Sequence, residues 1–167
     1  DIFAGDASAL EPQQAAVAQL VERFGQLDAA FANAGVGIDK PGTENGDPEE
    51  WRRMIGIIES GGLWTAEGTL AHLPATKGQC LVPGRDARRI YSSSKWFVHG
   101  FAQNLANEIS GWNGRCTEIL PGMVDTEFFD NPKPDKLKPE DIAAAVMFAL
   151  NAPERANVRE IFVMPTN

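Results

Sequence analysis

The sequence is poor in the residues that build metal centres and disulfide frameworks: it has two cysteines and two histidines in 167 positions, and only one tyrosine. Cys80 and Cys116 lie within apolar, strand-like segments, so they read as buried free thiols rather than a disulfide. His72 and His99 read as helix-surface or satisfied core residues. No spacing of Cys, His and carboxylates converges as a metal site would require. Basic residues are also short, 15 against 23 acidic, and the formal net charge of −8 argues against a nucleic-acid partner, which needs clustered Lys and Arg. No apolar run approaches the roughly 20 residues that cross a bilayer. The opening Asp1-Ile2-Phe3 has neither the basic segment nor the apolar core of a secretory signal. The expectation is a cytoplasmic protein with no membrane partner.

What is present is enough apolar sequence, 43% of residues, for one domain spanning 1–167. From Glu11, Val17, Leu20, Val21 and Phe24 recur at helical spacing, and Gly25 stands where a C-cap falls. Leu27 to Ala32 reads as a strand that runs into the small-residue turn Asn33-Ala34-Gly35-Val36-Gly37. Ile38 to Asp47 reads as surface loop. Asp47-Pro48 then opens a helix, with a capping residue followed by Pro at N1. Its apolar stripe is Trp51, Met54, Ile55 and Ile58, and Gly61-Gly62 marks a close-packing point before Leu63 to Leu73 continues the helix. Gln79 to Val82 is strand-like. Ser94 to Ser110 is a helix with Phe97, Phe101, Leu105 and Ile109 at four-residue spacing. Cys116 to Leu120 is a strand stopped by Pro121-Gly122, Pro139 to Ala143 opens a helix, and Glu160 to Met164 closes the pattern as a strand. Strands alternating with helices predict a mostly parallel sheet with helices on both faces. Ligands in such sheets lie beyond the carboxyl ends of the strands. The loops after Ala32, Val82 and Leu120 are therefore where chemistry is expected.

One of those loops leads to Tyr91 and Lys95. On a helix, four-residue spacing places both on one face. A phenol titrates near about 10, and a neighbouring ammonium favours the phenolate, lowering that value by roughly 1–3 units. Tyr91 is then a candidate general acid or base. The spacing alone leaves open an ordinary amphipathic helix on which Tyr and Lys meet by chance.

The companions of this pair carry more information. Asn33-Ala34-Gly35 follows a strand, Tyr91-Ser92-Ser93-Ser94-Lys95 runs into the helix read from Ser94, and Pro121-Gly122-Met123-Val124-Asp125-Thr126 ends a strand. Asp6-Ala7-Ser8 precedes the first helix, and Arg159 to Thr166 closes the chain. In this order the sequence resembles the short-chain dehydrogenases/reductases over essentially its whole length. The resemblance implies a Rossmann-like, doubly wound α/β fold, incomplete at its N-terminal side. It implies an oxidoreductase that uses NAD or NADP to interconvert a small-molecule carbonyl and a secondary alcohol. Tyr91 would be the acid/base. Lys95 would hold the nicotinamide ribose and help lower the tyrosine pKa. The backbone of Asn33, Ala34 and Gly35 would pass close to the cofactor, Asp6 would contact adenine, Pro121 and Gly122 would lie along the nicotinamide, and Val124 and Thr126 would face its carboxamide. Substrate would be read by the loop from Glu127 to Leu137, where Phe128 and Phe129 could form an apolar wall, although such residues are more often core contacts. A homodimer or homotetramer is implied, built through the helix after Ser94 and the one near Trp51.

The sequence departs from the family pattern at three places. No glycine-rich phosphate-binding turn stands ahead of Asp1. The position thirteen residues before Tyr91, where the family places a catalytic serine, is Gly78, and no Ser or Thr occurs between Val82 and Tyr91. The expectation is that the whole protein carries further residues at both of these places. Ile58 occupies the position of an Asn that, in the family, anchors a proton-relay water. These departures motivate a second reading, a catalytically impaired binding or oligomer-scaffolding relative. A third is an isomerase, epimerase or dehydratase on the same fold.

Overall fold

The computed structural model describes residues 2–38, 44–84, 89–129 and 131–166. Residues 39–43 of the expected surface loop and 85–88 of the basic loop before Tyr91 lie outside the described residues. Four strands, β1 (Ala29–Phe31), β2 (Gln79–Pro83), β3 (Arg115–Pro121) and β4 (Glu160–Val163), form one sheet in the order β1-β2-β3-β4. Every neighbouring pair is parallel, with Cys80 opposite Cys116 and Glu118 opposite Glu160. The expected α/β architecture is present. Parallel neighbours need crossover connections, and helices supply them.

Those helices are α1 (Leu10–Phe24), α2 (Pro48–Ile55), α3 (Gly61–Leu70), α4 (Arg89–Glu108) and α5 (Pro139–Leu150). Two apolar clusters show that both sheet faces are covered. Met54, Ile58, Cys80, Val82, Val98, Leu105 and Cys116 share one cluster. Leu81 and Ile119, alternating with them along the strands, pack with Ala149 of α5 in the other.

Local chemistry accounts for the helix ends. Gly25 takes a left-handed φ of 82° and donates its N–H to Val21 O, closing α1. Asp47 Oδ1 accepts the Glu49 N–H at 2.8 Å, and Pro48 begins α2. Gly61 is the close-packing glycine, since a Cβ there would lie 2.9 Å from Ala7 O, whereas Gly62 has open space around it.

Five expectations need correction. The helix α1 buries no residue fully, because Val17 and Val21 only flank the core. The stripe of α2 excludes Ile55, which is exposed. Between α2 and α3 the chain widens into a π-helical turn, Gly56–Ser60, that no sequence signal announced. The helix carrying the motif starts at Arg89, ahead of Ser94, so Tyr91 lies within it. Its four-residue stripe also rotates. Each step of four advances about 400°, drifting about 40° around the helix, so Phe97 is 39% exposed while Ile109 is 1% exposed. The buried face is Val98, Ala102, Leu105, Ala106 and Ile109.

Both cysteines are free and buried. Burial pushes the Cys80 thiol up to about 11 and the Cys116 thiol up to about 12, so both are neutral core groups at physiological pH. Among the described residues no helix is long and apolar enough to cross a membrane.

Candidate active site

The carboxyl ends of β1, β2 and β3 share one rim, and α4 delivers Tyr91 and Lys95 to it. Tyr91 is in the first turn of α4 and Lys95 is one turn further on. Lys95 Nζ lies 5.5 Å from the centroid of the Tyr91 ring. Lys95 is only 5% exposed, and Tyr91 is half-buried. Ser94 is occupied structurally: its hydroxyl donates to Tyr91 O at 2.7 Å, back along the helix.

The turn after β1 meets this pair. A Cβ built on Gly35 would lie 4.0 Å from Lys95 Nζ and 3.9 Å from Ile58 Cγ1. Asn33, Ala34 and Gly35 are exposed, which leaves their backbone open to approach. On the other side of the turn, Asn33 and Ala34 line a cavity of about 220 Å³ together with Asp6, Phe31, Gly61 and Thr65. Asp6 Oδ1 accepts hydrogen bonds from the Ser8 N–H at 2.8 Å and the Ser8 hydroxyl at 2.7 Å. These bonds hold its carboxyl below the usual range. Thus Asp6 and Asn33 line one cavity, while Gly35, two residues further along the turn, lies next to Lys95.

The loop after β3 reaches Tyr91 through Phe128, whose ring centroid is 5.7 Å away at 57°. Gly122 lets the ends of β3 and β4 close up: its N–H donates to Val163 O at 2.8 Å, and a Cβ there would sit 2.7 Å from Pro165. Pro121 ends β3, Val124 bridges to Leu137, and the exposed Thr126 uses its hydroxyl to accept the Phe128 N–H at 3.4 Å. The structure therefore ties this segment to Tyr91 through Phe128.

The departures take physical form. Gly78 precedes β2, at the end away from the site, where a Cβ would strike Leu73 and Asp28 O. The carboxyl end of β2 is Pro83-Gly84, and Gly84 donates its N–H to Ile119 O at 2.6 Å. Ile58 is buried in the π-helical turn behind Gly35, which places an apolar side chain beside the lysine.

Sequence reasoning missed Glu118. It is wholly buried, and its Oε2 is 2.6 Å from His99 Nδ1. Its Oε1 has no hydrogen-bond partner among the described residues and lies against Gly84, where any Cβ would overlap it. His99, expected to be a helix-surface or satisfied core residue, is half-buried and bonded to Glu118. Because Glu118 and Glu160 are register partners, these three residues bring ligand-capable atoms within 4.8 Å of one another. The sequence separation of 19 and 42 positions hides this convergence.

The family described as short chain dehydrogenase matches residues 1–137. The chain belongs to the short-chain dehydrogenase family. An uncharacterized oxidoreductase of Staphylococcus saprophyticus is 36% identical over 155 residues, covering 86% of this chain and 66% of that protein. A similarly named protein of Staphylococcus aureus is 35% identical, with 67% of its length covered. The chain thus spans about two thirds of the length of these relatives. Among solved structures, an alcohol dehydrogenase from the archaeon Thermococcus sibiricus, complexed with 5-hydroxy-NADP, superposes with a TM-score of 0.86 at 32% identity, covering 96% of this chain and 72% of that one. A carveol dehydrogenase from Mycobacterium avium in complex with NAD gives 0.85 at 24% identity, with coverages of 95% and 71%, a likeness of fold.

Proposed function

We propose that this short-chain dehydrogenase interconverts a carbonyl and a secondary alcohol with NAD or NADP, using Tyr91 as general acid/base. The carrying observation is the buried Lys95 Nζ, placed 5.5 Å from the Tyr91 ring and beside the open backbone at Gly35. A bound nicotinamide would supply or accept hydride at the substrate carbon. In reduction, Tyr91 Oη donates a proton to the carbonyl oxygen. In oxidation, its phenolate takes the proton of the alcohol. Lys95 favours the phenolate by its charge and is placed to hold the nicotinamide ribose. Asn33, Ala34 and Gly35 offer the backbone approach that a flat cofactor needs, and Asp6 is offered to the adenine end through the shared cavity. Pro121, Gly122, Val124 and Thr126 are assigned to the nicotinamide side.

The test is nicotinamide absorbance across a panel of ketones and secondary alcohols, with calorimetry of NAD and NADP. Cofactor binding with turnover of at least one pair is the expected result. No turnover and no binding would overturn the proposal. The lack of any Ser or Thr between Val82 and Tyr91 favours one alternative, a binding or scaffolding protein. Cofactor binding without turnover on any substrate would select it.

A further inference from the structure

Glu118 is the buried ionisable group that the proposed chemistry does not use. It is wholly buried in β3. A carboxylate withdrawn from water needs compensating charge and hydrogen bonds. Glu118 has them on one side only: Oε2 lies 2.6 Å from His99 Nδ1, and Oε1 has no hydrogen-bond partner among the described residues. Arg159, next to Glu160 in sequence, does not complete the set. Its Nη2 donates to Gln103 O at 3.5 Å and to Gln103 Oε1 at 2.5 Å, with no hydrogen bond to Glu118.

Glu160, the register partner of Glu118 on β4, brings a second carboxylate to the same place. Its Oε1 accepts a long hydrogen bond from Gln103 Nε2 at 3.3 Å. One donor atom from each of His99, Glu118 and Glu160 lies within 4.8 Å of the others. On a tetrahedral zinc ion, with bonds of about 2.0–2.2 Å, such atoms stand roughly 3.4 Å apart. Small side-chain rotations bring the set to that spacing, with the His99–Glu118 contact opening by roughly 0.8 Å. The three donors sit on α4, β3 and β4, so helix packing and strand register hold them rather than a loop.

We propose that His99 Nδ1, Glu118 and Glu160 form a binding site for one divalent transition-metal ion of the zinc class, which ties α4 to β3 and β4. An imidazole nitrogen with two carboxylates suits zinc, whereas magnesium prefers oxygen donors alone. The ion supplies the positive charge that a neutral imidazole does not give a wholly buried carboxylate. Its role is structural, since none of the three donors belongs to the residues that meet at Tyr91. The inference therefore stands independently of the proposed acid/base chemistry.

The test is calorimetric titration of the full chain, treated with chelator and desalted, with zinc chloride and separately with magnesium chloride. The expected result is saturable one-to-one binding of zinc in the micromolar range or tighter, and none of magnesium. Glu160→Gln, which keeps shape and removes a charged donor, is expected to weaken zinc at least about tenfold, since even an outer-shell partner is worth that much. His72→Gln, at the second histidine of the chain, leaves the affinity unchanged. Because changes at His99 or Glu118 disturb the core, proton NMR of the unaltered chain gives an independent reading. One equivalent of zinc should move the ring signals of His99 and leave those of His72 in place. No saturable zinc heat overturns the inference. So does a loss below threefold in Glu160→Gln, magnesium binding as tight as zinc, or a zinc-dependent shift at His72 alone.

Discussion

Tyr91→Phe lowers kcat/KM for carbonyl reduction by about 10²- to 10⁴-fold, the range that a positioned proton donor contributes, and leaves cofactor affinity within about threefold. The reason is geometric. The substitution removes one hydroxyl and keeps the ring that packs against Phe128 and beneath Lys95. Steady-state kinetics with calorimetry checks it. A variant retaining more than a third of wild-type kcat/KM would remove Tyr91 from the chemistry. Equal loss of cofactor affinity and turnover would instead make it a binding residue.

The second large effect concerns stability. His99→Ala is expected to destabilise the protein by about 3 kcal/mol, because it leaves a fully buried carboxyl without its hydrogen-bond partner. For a chain of this size that corresponds to a fall in Tm of roughly 10 °C. The double variant His99→Ala/Glu118→Leu should lose less than His99→Ala alone, since it removes the stranded carboxyl and fills the space with apolar volume. Differential scanning calorimetry of the three proteins gives the answer. A shift below about 2 °C for His99→Ala would show that the pair contributes little.

Which features were legible in the sequence follows from the range of the interactions that cause them. Caps act within a turn, so Gly25 and Asp47 could be read directly. The order of strands and helices implied a parallel sheet, and the sheet is parallel throughout. The failures arise where three-dimensional packing overrides local pattern. Four-residue spacing looked like a single face of α4, but helical drift turned Phe97 outward. The π-helical turn at Gly56–Ser60 depends on how α2 and α3 meet the rest of the fold. The site shows the same division. Tyr91, Lys95 and Asn33 to Gly35 were singled out by motif, whereas Glu118 beside His99 and Phe128 beside Tyr91 depend on strand register and loop placement.

The account turns on Tyr91 and Lys95 acting as one acid–base unit. The most direct measurement is ultraviolet titration of the Tyr91 phenolate, isolated as the difference between the protein and Tyr91→Phe, and repeated with Lys95→Met in both. The account predicts a midpoint below the ordinary value of about 10 when Lys95 is present, and a rise of at least about one unit when it is replaced. An identical midpoint with and without the lysine charge would contradict it.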